Sequence, residues 1–273
     1  MRQAGRGDGP TVLFTDGILC DGYVWKYLWP ERAARGPVAH WHYRGHGRSG
    51  SPKDAARIDI PAHADDLDHV RRALGDPPVV LVGHSMGVQV VLEAYRARPD
   101  RVAGLVLLCG SHGRVLETFH GTDALTGWVP KLLRLASARP GVARALWSRV
   151  PPEMALKFTL WSGEVDARSL RPGDMRPYLE HATHVDLPLF LAMLRAAGEH
   201  SAADLLPHVR VPTLVVAGSR DTFTPARLSE ELAAGIPGAE LCVLEGGTHT
   251  APLERPDALG AALHRFWSDR IGA

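Results

Sequence analysis

The chain is short of several things, and each shortage excludes a class of protein. Only three of its 273 residues are cysteine, Cys20, Cys109 and Cys242. An odd count without paired spacing argues against a disulfide framework and against a zinc site, so reduced thiols are the expectation. Charge of neither sign dominates: Lys plus Arg is 31, Asp plus Glu is 30, and the formal net charge is +1. Bulk electrostatics therefore offers no attraction to nucleic acid or anionic lipid. No apolar run approaches the length needed to cross a bilayer, and no partnership with a membrane is expected. The first ten residues are polar and glycine-rich, unlike the apolar stretch of a secretory leader, which makes a cytoplasmic location the expectation. There is no internal repeat and no low-complexity tract.

What is present describes a folded enzyme-sized chain. Apolar residues make up 45% and charged residues 22%, enough for a sizeable core and too few charges for disorder. Short apolar runs predict strands at Val12–Thr15, Val38–His42, Val79–Val82, Leu105–Leu108, Thr213–Ala217 and Glu240–Leu244. Several are apolar throughout, as strands covered on both faces should be. Helical patterns lie between them at Asp59–Leu74, Met86–Arg98, Pro225–Gly235 and Pro256–Arg270. Alternating strands and helices predict an α/β fold with a mostly parallel central sheet. The stretch 112–207 contains no convincing strand and is too long for a loop. It predicts an inserted set of helices, with residues 1–111 and 208–273 forming the core.

The sharpest motif is Gly83-His84-Ser85-Met86-Gly87. It fits G-x-S-x-G between an apolar strand and a helix, the context that this motif requires. A serine on a tight strand-to-helix turn needs small neighbours, and the helix that begins there offers free N–H groups to an anion. A serine hydroxyl needs a base. Of 14 histidines, His249 stands out in Gly246-Gly247-Thr248-His249-Thr250, just past the last strand. His84 is expected to be structural, because adjacent residues on a sharp turn point apart. His112, His181, His184, His200 and His208 could reach a substrate but are expected to be packing or surface residues. The base in turn needs an acid. Asp221 follows strand Thr213–Ala217, whereas the end of strand Leu105–Leu108 reads Cys109-Gly110-Ser111-His112 and has no carboxylate. Asp204 is the weaker candidate, expected to anchor the return of the insertion.

The order Ser85, Asp221, His249 resembles the α/β-hydrolase superfamily, and within it the esterase-like group with a helical lid. The resemblance covers nearly the whole chain and includes Arg44-Gly45-His46-Gly47-Arg48-Ser49. It implies an α/β-hydrolase fold with a helical lid at 112–207 and a serine hydrolase that forms an acyl-enzyme, most simply a carboxylic ester hydrolase. Carbon–carbon, lactone or thioester hydrolysis, cofactor-free perhydrolysis, or ligand binding without catalysis are the alternatives. Epoxide hydrolases and haloalkane dehalogenases of this fold have Asp at the elbow, where this chain has Ser85. The resemblance implies an oxyanion hole from the N–H groups of Met86 and Ile18, and no metal or organic cofactor.

Three departures accompany it. Asp16 replaces the histidine that usually precedes Gly17, and an acid there is unfavourable unless it is turned away or hydrogen-bonded. His42 stands where the family has Asp and is expected to be a structural substitute. Met1–Pro10 is too short for the family's opening hairpin, so the sheet is expected to lack one or two edge strands unless a partner chain, as in a homodimer, covers that edge. A lid implies a mainly apolar, small to medium substrate. Trp128, Trp161, Phe190 and Met193 are candidate pocket residues, with Tyr23 and Trp25 near the entrance.

Overall fold

The structure is a computed structural model that describes residues 1–54, 56–117, 124–149, 151, 165–166 and 168–272. Among the described residues, seven strands form one sheet: β1 (Arg2–Ala4), β2 (Thr11–Thr15), β3 (Val38–His40), β4 (Val79–His84), β5 (Val102–Leu108), β6 (Thr213–Gly218) and β7 (Glu240–Leu244). Their order across the sheet is β1-β3-β2-β4-β5-β6-β7, and only the β1–β3 pair is antiparallel.

Both faces of this sheet are covered along its inner strands, β2 to β6, which is why those strands read as apolar runs while β1 and β7 stay more exposed. On β2, Leu13 enters one core cluster and Val12 and Phe14 the other. On β5, Leu105 and Leu107 face one way and Val106 and Leu108 the other. The period of two is thus preserved although neither face is polar. Each such Leu or Val stabilises the fold by about 1.5–3 kcal/mol through burial. One face carries α2 (Ile60–Ala73), α3 (Met86–Ala97) and α8 (Ala226–Gly235); the other carries α1 (Leu28–Ala33) and α10 (Pro256–Phe266). Asp59 caps α2 by accepting from the Ala62 N–H at 2.9 Å, and Pro61 fits its first turn.

The departures from the sequence expectations have local causes. Strand β5 starts three residues earlier than its apolar run, because Gly104 interrupts the run but not the ladder. A Cβ at Gly104 would meet Ile271 Cδ1 at 2.5 Å. Strand β3 stops at His40, where Trp41 turns to donate its indole N–H to Thr15 Oγ1. The edge is not bare, since Arg2–Ala4 supplies one antiparallel strand there. Helix α1 went unpredicted; it is only six residues long.

Between β5 and β6 lie α4 (Ala124–Ala138), α5 (Pro140–Trp147), α6 (Pro172–Ala182) and α7 (Leu187–Glu199). Helix α7 packs against α4 and α5 and is capped by Asp186, which accepts from the Leu189 N–H. The chain leaves and rejoins the sheet layer at one neck, where Ala202 N–H donates to His112 O and Arg114 N–H to His200 O. Helix α9 (Ala251–Glu254) follows β7. Among the described residues, no helix is long and apolar enough to cross a membrane.

Candidate active site

Ser85 sits between β4 and α3 with φ 55° and ψ −122°, a conformation that costs a non-glycine residue on the order of 1–3 kcal/mol. The turn closes only because the residues two positions away on either side, Gly83 and Gly87, lack side chains. A Cβ on Gly83 would lie 2.5 Å from Gly87 O, and one on Gly87 would lie 2.5 Å from Thr15 O. The Ser85 N–H donates to Leu108 O at 3.0 Å, pinning the turn to the neighbouring strand.

The loops after β6 and β7 bring two further side chains to this point. His249 Nε2 lies 2.9 Å from Ser85 Oγ, and His249 Nδ1 lies 2.9 Å from Asp221 Oδ2. Asp221 is buried and accepts three more hydrogen bonds, from the N–H groups of Phe223 and Thr224 and from the Thr224 hydroxyl. With Asp221 accepting at Nδ1, the imidazole presents a bare Nε2 to the serine hydroxyl. Phe223 stacks on the ring at 5.0 Å. Asp204, the other carboxylate singled out, is exposed at the neck and paired with Arg96, which lowers its pKa to about 2.

Two buried groups fix the His249 loop, and each makes one contact too far along the sequence to be read from it, Glu254 with Asp166 and His84 with His249. The Glu254 carboxylate accepts from the Thr248 N–H, the Thr248 and Thr250 hydroxyls and the Asp166 N–H, all within 2.8 Å. It therefore grips the chain on both sides of His249 and ties the loop to the inserted segment. His84 donates from Nε2 to the His249 carbonyl at 2.9 Å. Burial first, and the neighbouring His249 second, lower its pKa to about 4, so at neutral pH it is an uncharged donor, in keeping with a structural role.

The loop after β2 completes the floor. Asp16 is buried and both its carboxylate oxygens are partnered: Oδ1 accepts from the Trp25 indole at 2.6 Å and Oδ2 lies 2.8 Å from His40 Nε2. Its carbonyl accepts from the Tyr43 hydroxyl at 2.7 Å. The acid is thus partnered below the loop, which removes the electrostatic objection to it. Leu19 adopts φ 62°, and its N–H donates to His46 Nε2 at 3.3 Å, while His46 Nδ1 donates to Arg44 O. Burial lowers the His46 pKa to about 4, keeping that acceptor unprotonated at neutral pH. His42 accepts from the Arg48 N–H at 3.1 Å, and burial lowers its pKa. Among the described residues, the N–H groups of Ile18 and Met86 have no protein acceptor, and both residues line the cavity above Ser85.

That cavity has a volume of about 440 Å³. Ser85, His249, Ile18 and Met86 lie on its floor; Tyr23, Trp147, Met175, Tyr178, Phe190 and Leu194 are among its apolar walls. Of the sequence candidates, Tyr23 and Phe190 line it. Three other candidates are not in the wall. Trp128 is 62% exposed on the outside of α4. Met193 is buried in the core below α7. Trp25 is buried under the loop after β2, held by Asp16. Trp161 lies outside the described residues. His112, His181, His184, His200 and His208 do not line the cavity. Trp147, Met175 and Tyr178 went unrecognised because their periodicity marks an inward face without saying whether core or cavity lies inside.

Comparison with known proteins agrees with this architecture. The chain is 31% identical to lipase LipV of Mycobacterium tuberculosis over 264 residues, covering 93% of this chain and 92% of that protein. It is 28% identical to polyketide synthase ThaQ of Burkholderia thailandensis over 98% of this chain, a match that spans 12% of that protein's length. The structure of a thermophilic esterase from Thermogutta terrifontis superposes with a TM-score of 0.78 at 24% identity, covering 100% of this chain and 93% of that one. Residues 10–256 match the model of the family described as alpha/beta hydrolase fold, and the chain belongs to that family.

Proposed function

We propose that the protein is a serine hydrolase that cleaves small to medium, mainly apolar carboxylic esters through an acyl-enzyme. One observation carries the reading: the unbroken line from the Ser85 hydroxyl through the His249 ring to the Asp221 carboxylate, at the floor of an apolar cavity. Ser85 Oγ attacks the ester carbonyl carbon while His249 Nε2 takes the hydroxyl proton. Asp221 holds the ring and stabilises the imidazolium. The carbonyl oxygen, now negative, accepts from the Ile18 and Met86 N–H groups. Collapse breaks the bond to the alcohol oxygen, which leaves with the proton from His249. A water molecule, deprotonated by His249, then attacks the acyl carbon and frees Ser85. Helices α4–α7 act as the lid, excluding bulk water and shaping the acyl pocket. No metal or organic cofactor enters these steps.

The test is labelling of the folded protein with a fluorophosphonate, beside hydrolysis of chromogenic esters of increasing chain length. We expect labelling at Ser85, turnover of short and medium esters, and loss of both in Ser85→Ala with an unchanged circular dichroism spectrum. Equal turnover by Ser85→Ala would overturn the proposal. Labelling with turnover only of lactones or thioesters would move the reaction to those substrates and keep the nucleophile.

A further inference from the structure

The net charge of +1 conceals one strongly uneven region. Between Ala124 and Arg149 the chain carries Lys131, Arg134, Arg139, Arg144 and Arg149 and not one carboxylate. Among the described residues, the same two helices hold most of the large apolar side chains that are exposed: on α4, Trp128 at 62%, Leu132 at 46% and Leu135 at 68%; on α5, Val142 at 56% and Leu146 at 66%. Their spacing is not scattered. Residues 128, 132 and 135 follow i, i+4, i+7, and 142 and 146 follow i, i+4, so each helix bears a continuous outer stripe. The inner stripe of α4 is separate: Val129 and Ala136 are buried, and Leu125 lines the cavity.

From this arrangement we propose that α4 and α5 form a docking face for an anionic lipid surface, on which the protein lies without spanning it. Three features select that occupant. The cations flank the stripe without neutralisation. Among the described residues, Lys131, Arg134 and Arg139 have no carboxylate partner, and only Arg144 has one, Asp186 at 3.1 Å. Lys131 Nζ lies 5.5 Å from the Trp128 ring centroid, so an amphipathic ring and an extended cation stand together as at a lipid headgroup boundary. Among the described residues, the stripes are exposed and line neither the cavity nor the groove between α1 and α10, so they present an open face. A second copy of the same face is disfavoured, because two surfaces with cations and no acids repel. The inference goes beyond the proposed hydrolysis and does not depend on Ser85 being reactive.

Vesicle co-sedimentation at low salt tests it, using the whole chain with pure phosphatidylcholine vesicles and with phosphatidylcholine–phosphatidylserine mixtures. Binding is expected to the mixed vesicles only and to weaken as salt rises. Lys131→Glu combined with Arg134→Glu and Arg139→Glu should weaken it at least about a hundredfold, given the contribution of each basic residue near an anionic bilayer. Trp128→Ala with Leu135→Ser should also release the protein, although its charge is unchanged. All these side chains are exposed, so circular dichroism should be unaltered, and fluorophosphonate labelling of the variants reports separately on Ser85. Ser85→Ala should bind vesicles like the parent. Failure of the parent to bind mixed vesicles at low salt would overturn the proposal. So would retention of polyglutamate binding without vesicle binding, which would assign the face to an acidic protein.

Discussion

At the carboxyl edge of the sheet, the polar groups around Ser85 are held by buried carboxylates, which join residues close in sequence to others as much as 88 positions away. Asp221 and Glu254 each accept four hydrogen bonds, and Asp16 is fixed from two sides. Among the described residues, most ion pairs in the helices between β5 and β6 are surface ones, such as Arg176–Glu180 and Arg195–Glu199, the buried Asp174 with Lys26 being the exception. Packing there draws on two small clusters, Ala136, Ala143 and Leu191 in one and Val165, Leu170, Met175 and Leu179 in the other, with Met193 and Ala197 reaching the main core. The edge therefore fixes positions to within a hydrogen bond, where a single lost partner leaves a buried group unsatisfied. The helices fix only a shape, which apolar side chains can refill in several ways. If so, substitutions at the edge should act on rate and stability, and those in the helices on substrate choice.

Asp221→Asn is the most severe probe of the edge. The amide leaves the fold nearly intact but favours the wrong tautomer of His249, and turnover should fall about 10⁴-fold. Steady-state kinetics on a short chromogenic ester would measure it; a loss under tenfold would mean that the edge tolerates rearrangement as the helices do. Acid comes next. His84 and His46 titrate near 4 in the fold and near 6.5 in the unfolded chain. Between those values the unfolded state binds more protons, so stability should be intact above about pH 6.5. It should fall as pH drops and level off, for these groups, below about pH 4. The loss is at most about 3 kcal/mol per imidazole. Urea melts across this range should show it, and His46→Gln should flatten the slope.

How much of this was legible beforehand follows the same division. Ser85, Asp221 and His249 could be picked out because each lies within a few residues of a strand end, and strand ends are what an apolar run reveals. The partners that hold them could not. Glu254 meets Asp166 across 88 residues and His46 meets Leu19 across 27, and no local pattern records such pairings. Asp16 read as an anomaly because its compensation, Trp25 and His40, is three-dimensional. In the helices the periodicity identified an apolar face but not its side. Trp128 and Trp147 are equally aromatic in sequence, yet one faces solvent and the other the cavity.

Glu254→Gln tests the hidden part of the edge. The amide keeps one acceptor oxygen and replaces the other by a donor that faces the Thr248 N–H. We expect a cost of about 2–3 kcal/mol, read as a fall in melting temperature of roughly 4–10 °C. Turnover should fall about ten- to a hundredfold with KM changed less, because the His249 loop loosens while the cavity wall remains. Arg195→Ala, in a surface pair of the helices, should change stability by less than about 1 kcal/mol.

The gentlest probe lies in the wall itself. Phe190 stacks on Trp147 at 6.0 Å between centroids, nearly parallel, and both border the cavity. Phe190→Ala removes a ring without touching any group that contacts Ser85 or His249. If the helices define only shape, the variant should keep its fluorophosphonate labelling rate while its preference moves to longer acyl chains. The kcat/KM ratio of long to short esters should rise about tenfold, the scale set by a methylene or two in an apolar pocket. A uniform fall in kcat for every chain length would instead mean that the ring helps to hold the reacting groups. The division between an edge that sets geometry and helices that set shape would then fail at this residue.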